Sequence, residues 1–201
     1  CRKPISWQYP IVELATAALF CLAYMVQFSI FIRQLADQFS IDLQILNFQN
    51  LLPLLRSWFF ISALIVIFVQ DWRWLVILDQ ITLPAMAVLL FLHLAMGMPL
   101  GNMVISGIIG SSFFLAQFLV SQGRWIGGGD IRLGGLMGLM LGWPNLIVAL
   151  ILSYWLGAVA GIYLIFTGKK QMSSQIPFGT FLALGTIISL FWGEKLLNLI
   201  F

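Results

Sequence analysis

The chain has 201 residues, 61% hydrophobic and 8% charged, with a net charge of +3. Soluble domains carry about 25% charged residues, so a single soluble core of this size cannot hide so much apolar surface, and the sequence reads as a polytopic membrane protein. The small positive charge is read as membrane orientation, with no nucleic-acid partner.

The chain begins with Cys1, which leads us to expect a fragment or a processed product. No signal peptide is expected, because the first apolar run is too long and lacks a cleavage site. Seven apolar segments follow, at 11–32, 51–69, 81–98, 103–120, 131–142, 146–166 and 178–200. Most approach the ~20 residues that cross a bilayer core as a helix. The fifth rises only about 18 Å against a core of about 30 Å. The expected fold is therefore an all-α membrane bundle of about seven segments, the fifth short. Trp143-Pro144-Asn145 reads as a tight turn joining segments five and six into a hairpin. The longest outer connection is 33–50.

The short segment carries Gly134, Gly138 and Gly142, one every fourth residue. That spacing makes a smooth helix face on which another helix can close in. Gly157 and Gly161 repeat it in segment six. Cys21 reads as a small buried hydrophobe, and a disulfide to Cys1 is not expected because the two would sit at different depths. With the N-terminus in the cytoplasm, Arg2, Lys3, Arg73, Arg124, Arg132, Lys169 and Lys170 fall inside, and Arg33, Arg56 and Lys195 outside. This favours that orientation over its inverse.

There are seven acidic residues. Asp37 and Asp42 fall in the outer loop and read as solvated, Glu194 neighbours Lys195, and Glu13 suits the start of the first helix. Asp71, Asp79 and Asp130 remain, all at cytoplasmic segment ends. Ionisable groups at membrane depth default to a functional reading. Two carboxyls held within a few Å share a proton. The ionised one can activate water while the protonated one polarises a peptide carbonyl, and neither step needs a metal or cofactor. Asp130 at a helix N-terminus and Asp71 at a helix C-terminus suggest, from the helix dipoles, that Asp130 is the ionised member and Asp71 the protonated one. The glycines before Asp130 are expected to allow positive φ and to leave room for a substrate backbone.

Several stretches resemble the type IV prepilin peptidases, membrane aspartic proteases of the GxGD class. "CRKPISWQYPIVEL" resembles the junction between that family's cytosolic cysteine-bearing domain and the next membrane helix. "DWRWLVILDQITLP" resembles its first aspartate motif, D-x6-PD then I-T-x-P. "GGGDIRLGGLMGLMLG" resembles the second, GxGD-x-K-L-x4-G-x3-G. "PFGTFLALG" resembles its PFGPFLALG. Leu78, Arg132 and Thr180 depart from the usual Pro, Lys and Pro. The resemblance implies a catalytic pair at Asp71 and Asp130, with Gly127 and Gly129 as the GxGD glycines. Asp79 is the second acid of the first motif, outside the pair, with helix capping as its structural role. It also implies a peptidase domain over 11–201, with 1–10 left from the cysteine-bearing domain. Cys1 would be a remnant of a zinc site that it cannot complete alone.

The implied activity is removal of the short basic leader of prepilins and type II secretion pseudopilins, after a glycine, at the cytoplasmic face of the bacterial inner membrane. Proteolysis needs no cofactor. N-methylation with S-adenosylmethionine, which many members perform, is uncertain for this chain, as is oligomeric state. Arg124 and Arg132 would flank the site and tune the pair or bind lipid phosphates. His93 reads as an interhelical polar contact, and Trp7, Trp58, Trp125 and Trp192 as interfacial anchors. The alternatives are a catalytically incomplete component of a pilus or secretion machine, a proton-coupled transporter, and a peptidase of the same class acting on preflagellins.

Overall fold

A computed structural model describes residues 6–37, 48–168 and 176–200. Cys1, Arg2, Lys3, Asp42, Lys169 and Lys170 lie outside them. Among the described residues seven helices follow in order: α1 (Gln8–Asp37), α2 (Phe48–Trp74), α3 (Asp79–Ala95), α4 (Leu100–Ser121), α5 (Gly128–Leu141), α6 (Asn145–Phe166) and α7 (Phe178–Ile200). No strand occurs among the described residues. Helices α1, α2, α4, α6 and α7 each hold a stretch long and apolar enough to cross a membrane. With 17 residues in α3 and 14 in α5, those two are shorter. The expected polytopic helical bundle is the fold observed.

The chain forms two compact units, Cys1–Ile65 and Val66–Phe201, divided within α2. In the first, Trp58 of α2 stacks on Phe20 of α1 at 5.3 Å between ring centroids, and its indole N–H donates to the Phe20 carbonyl at 3.1 Å. This tryptophan joins helices, where interfacial anchoring was expected, because its N–H finds a partner inside the unit. Cys21 is exposed on α1, contrary to the expected burial. Glu13 lies beyond the first turn, since α1 starts at Gln8, so the helix-end argument for it weakens.

The second unit is built on close backbone approaches. Helix α5 lies mainly along α4 and meets α6 only slightly, so the expected α5–α6 hairpin is a connection and not a packed pair. A Cβ at Gly134 would strike Phe114 and the Gly110 carbonyl, and one at Gly138 would strike the Ser106 carbonyl and the Gly107 nitrogen. The glycine face of α5 thus receives α4 through Gly107 and Gly110. Such contact supplies the dispersion and close packing that replace hydrophobic drive in lipid. Gly142 serves the turn instead, with φ of +66°. The Asn102 side chain clamps that turn, donating to the Trp143 carbonyl at 3.0 Å and accepting the Trp143 N–H at 2.9 Å. Helices α6 and α7 pack closely along each other. Their tightest glycine approach is at Gly185, against Ser153 and the Ala149 carbonyl, whereas Gly157 and Gly161 face Phe181 and Ile176 at ordinary 3.5 Å separations.

Candidate active site

The chain reverses after α4 because Gln122 and Gly123 both take left-handed φ, 52° and 73°. Gly127 then caps α5 in an extended conformation, and Asp130 is the third residue of the helix. The Asp130 carboxylate accepts the Gly127 N–H at 2.9 Å, while its own N–H donates to the Gly127 carbonyl at 3.1 Å. This reciprocal bonding fixes the side chain at the helix N-terminus. Positive φ was expected in this glycine run, but none of its three glycines has it, and Gly127 has φ of −86°. Gly129 is required for space: a Cβ there would come 2.7 Å from the Ile77 Cβ. Around Gly128 the space is open.

Asp71 sits in the last turn of α2, which runs on to Trp74 before Leu75 leaves it at φ of 54°. One carboxylate oxygen, Oδ2, accepts the Thr180 N–H at 2.7 Å and the Thr180 hydroxyl at 3.1 Å. Gly179 permits this, since a Cβ there would stand 3.0 Å from the Asp71 Cγ. The Asp71 carboxyl therefore meets the N-terminus of α7, although its own backbone belongs to the C-terminal turn of α2. Both acids face helix N-termini. The dipole argument that was expected to assign the ionised role to Asp130 and the protonated role to Asp71 loses its asymmetry.

Asp71 and Asp130 are 5% and 7% exposed, and what they expose opens into one cavity of about 890 Å³. One wall is apolar, with Leu75, Val76, Ile77 and Phe181. Another carries Tyr154, whose hydroxyl donates to the Gln117 side-chain carbonyl at 2.7 Å. Phe178 packs edge-on against Tyr154 and Phe114, at 5.0 and 6.3 Å between centroids. Arg124 and the exposed Trp125 also line the cavity. Two buried carboxyls on one cavity, an apolar wall and the open backbone at Gly128 leave room for an extended peptide with water at the carboxyls.

The third acid stands apart. Asp79 does not line the cavity, and α3 has no side-chain cap. Asp79 pairs instead with Arg132 of α5, both about half exposed. Its expected capping role gives way to an interhelical ion pair, which also engages the arginine expected to flank the site. His93 is fully buried in α3, away from the cavity. Among the described residues no three His, Cys, Asp or Glu side chains cluster as a metal site needs, and Cys1 lies outside them. The sequence reading did not single out Tyr154, Gln117 or Ile77, and it treated Thr180 as a mild departure. A signal existed for the first two, as polar side chains inside apolar segments. None existed for Ile77, whose role follows from its contacts with Gly129 and Gly179.

Proteins named prepilin leader peptidase/N-methyltransferase from Aeromonas hydrophila and Aeromonas salmonicida are 33% and 32% identical over 201 residues. Each alignment covers 98% of this chain and 62% of the relative, so the chain spans under two thirds of their length. A Bacillus subtilis protein of the same name is 28% identical over 98% of this chain and 71% of its own. No solved structure matches. The sequence pattern of the type IV leader peptidase family fits residues 58–162, a stretch holding both Asp71 and Asp130 and just over half the chain, and the chain belongs to that family.

Proposed function

We propose that the chain is a membrane-embedded aspartic endopeptidase acting on type IV prepilins and type II secretion pseudopilins. It removes their short basic leader after a glycine, at the cytoplasmic face of the bacterial inner membrane. The observation carrying this reading is that Asp71 of α2 and Asp130 of α5 are held by separate hydrogen bonds and open into one cavity. A water between them loses a proton to the ionised carboxyl and attacks the scissile carbonyl, which the protonated carboxyl polarises. The tetrahedral intermediate collapses as the leaving nitrogen takes a proton from the pair. Either aspartate can hold either role at rest, because each meets a helix N-terminus.

Residues 11–201 form the peptidase domain on this reading, and 1–10 belong to the junction with a cysteine-bearing region. Gly127 and Gly129 shape the approach to Asp130, and Asp79 supports the fold without taking part in hydrolysis. Peptide hydrolysis by this pair uses water and no cofactor.

The test is cleavage of a type IV prepilin by this chain in liposomes, beside Asp71→Asn and Asp130→Asn. Cleavage after the leader glycine, reduced about a thousandfold or more in each variant, is the expected result. Cleavage that survives in either variant overturns the pair. No cleavage by the unsubstituted chain overturns its sufficiency as a peptidase.

A further inference from the structure

Asp71 lies in the last turn of α2, followed by the irregular residues Leu75–Leu78. Its side chain must therefore be fixed from elsewhere in the fold. The start of α7 supplies this hold. Thr180 is 1% exposed, and it gives Asp71 Oδ2 two donors from one position, the backbone N–H at 2.7 Å and the hydroxyl at 3.1 Å. Gly179 beside it has no room for a Cβ on the Asp71 side. The carboxyl is thus seated against the start of α7, beside the cavity that Asp71 lines. A buried carboxyl with one oxygen doubly bonded has little rotational freedom. Holding a reacting group in one orientation is worth far more in rate than in affinity.

We infer that Thr180 is the positioning residue of the Asp71 carboxyl, fixing its orientation beside the cavity by holding Oδ2. Its hydroxyl is the part of this hold that a side chain can change, because the N–H remains in any residue except proline. This rests on the peptidase reading for its kinetic consequence, though not for the hydrogen bonding itself.

The experiment compares Thr180→Val and Thr180→Ser in liposomes with a type IV prepilin as substrate. Valine has the shape of threonine without its hydroxyl. The expected kcat falls about tenfold in Thr180→Val. KM stays within about twofold, and Thr180→Ser keeps most of the parent kcat. A merely structural residue would not give this split together with rescue by serine. Infrared difference spectra give a reading that needs no turnover. The carboxyl band lost in Asp71→Asn should shift in Thr180→Val and stay in place in Thr180→Ser. An unmoved band in Thr180→Val, or equal kcat for valine and parent, overturns the inference. If the unsubstituted chain does not cleave, the peptidase reading fails by itself, and the infrared comparison still decides the role of Thr180.

Discussion

Asp79 and Asp130 are both first-turn acids of their helices, yet their surroundings differ. Asp130 is nearly enclosed and opens to the cavity, whereas Asp79 is about half exposed and tied to Arg132. Exposed ion pairs contribute about 0–1 kcal/mol. Asp79→Asn should therefore leave prepilin cleavage within about threefold of the parent and lower stability by no more than about 1 kcal/mol. Kinetics beside a melting curve in detergent check this. A loss of cleavage comparable to that of Asp71→Asn would place Asp79 in the chemistry instead. The candidate acids stand out in the sequence because so few charges occur in so apolar a chain. What holds each acid was not legible there, except for Gly127, which lies within one helical turn of Asp130. The partners Thr180 and Arg132 lie 109 and 53 positions from Asp71 and Asp79, and no local pattern spans such distances.

Element positions were read more fully than their pairings. Apolar length located all seven helices, the short α5 included, because backbone groups in lipid must be satisfied within each segment. The four-residue glycine spacing showed that one face of α5 is in close contact. It did not show that α4 is the partner, since Gly107 and Gly110 are three apart and form no matching stripe. The positions also differ in tolerance. Gly138→Ala forces a methyl into the α4 backbone at Ser106 and Gly107, and overpacking of this kind costs about 1–3 kcal/mol or more. Gly161→Ala meets only the Ile176 side chain at 3.5 Å, and it gains up to about 1 kcal/mol of helix propensity. Gly138→Ala should lower the melting temperature of the detergent-solubilised protein by several degrees, while Gly161→Ala leaves it level or higher. Equal behaviour of the two would mean that helix propensity, and not the α4–α5 approach, governs these sites.

At the scale of the second unit, one end of the helices gathers the chemistry. The C-terminal ends of α2 and α4 and the N-terminal ends of α5 and α7 all contribute to the cavity. Arg73 ends α2 and Arg124 lies between α4 and α5, so the same end carries basic residues. Positive residues near segment ends favour the cytoplasm, and the orientation predicted from them puts the aspartates there. Helix α4 offers the test, because its 22 residues extend about 33 Å. Trp125 lies just beyond one end, 71% exposed. Gly101 lies in the first turn at the other, with open space around a Cβ. Single cysteines at these positions, in a chain with Cys1 and Cys21 replaced by serine, can be labelled with a membrane-impermeant maleimide. Trp125→Cys should react in inverted vesicles and Gly101→Cys in intact spheroplasts. The opposite pattern would put the cavity outside the cell, beyond reach of a leader that is still cytoplasmic, and would leave Asp71 and Asp130 facing the wrong compartment for the proposed substrates. Labelling at both positions from one side would mean that α4 does not cross the bilayer, and the orientation drawn from the basic residues would fail with it.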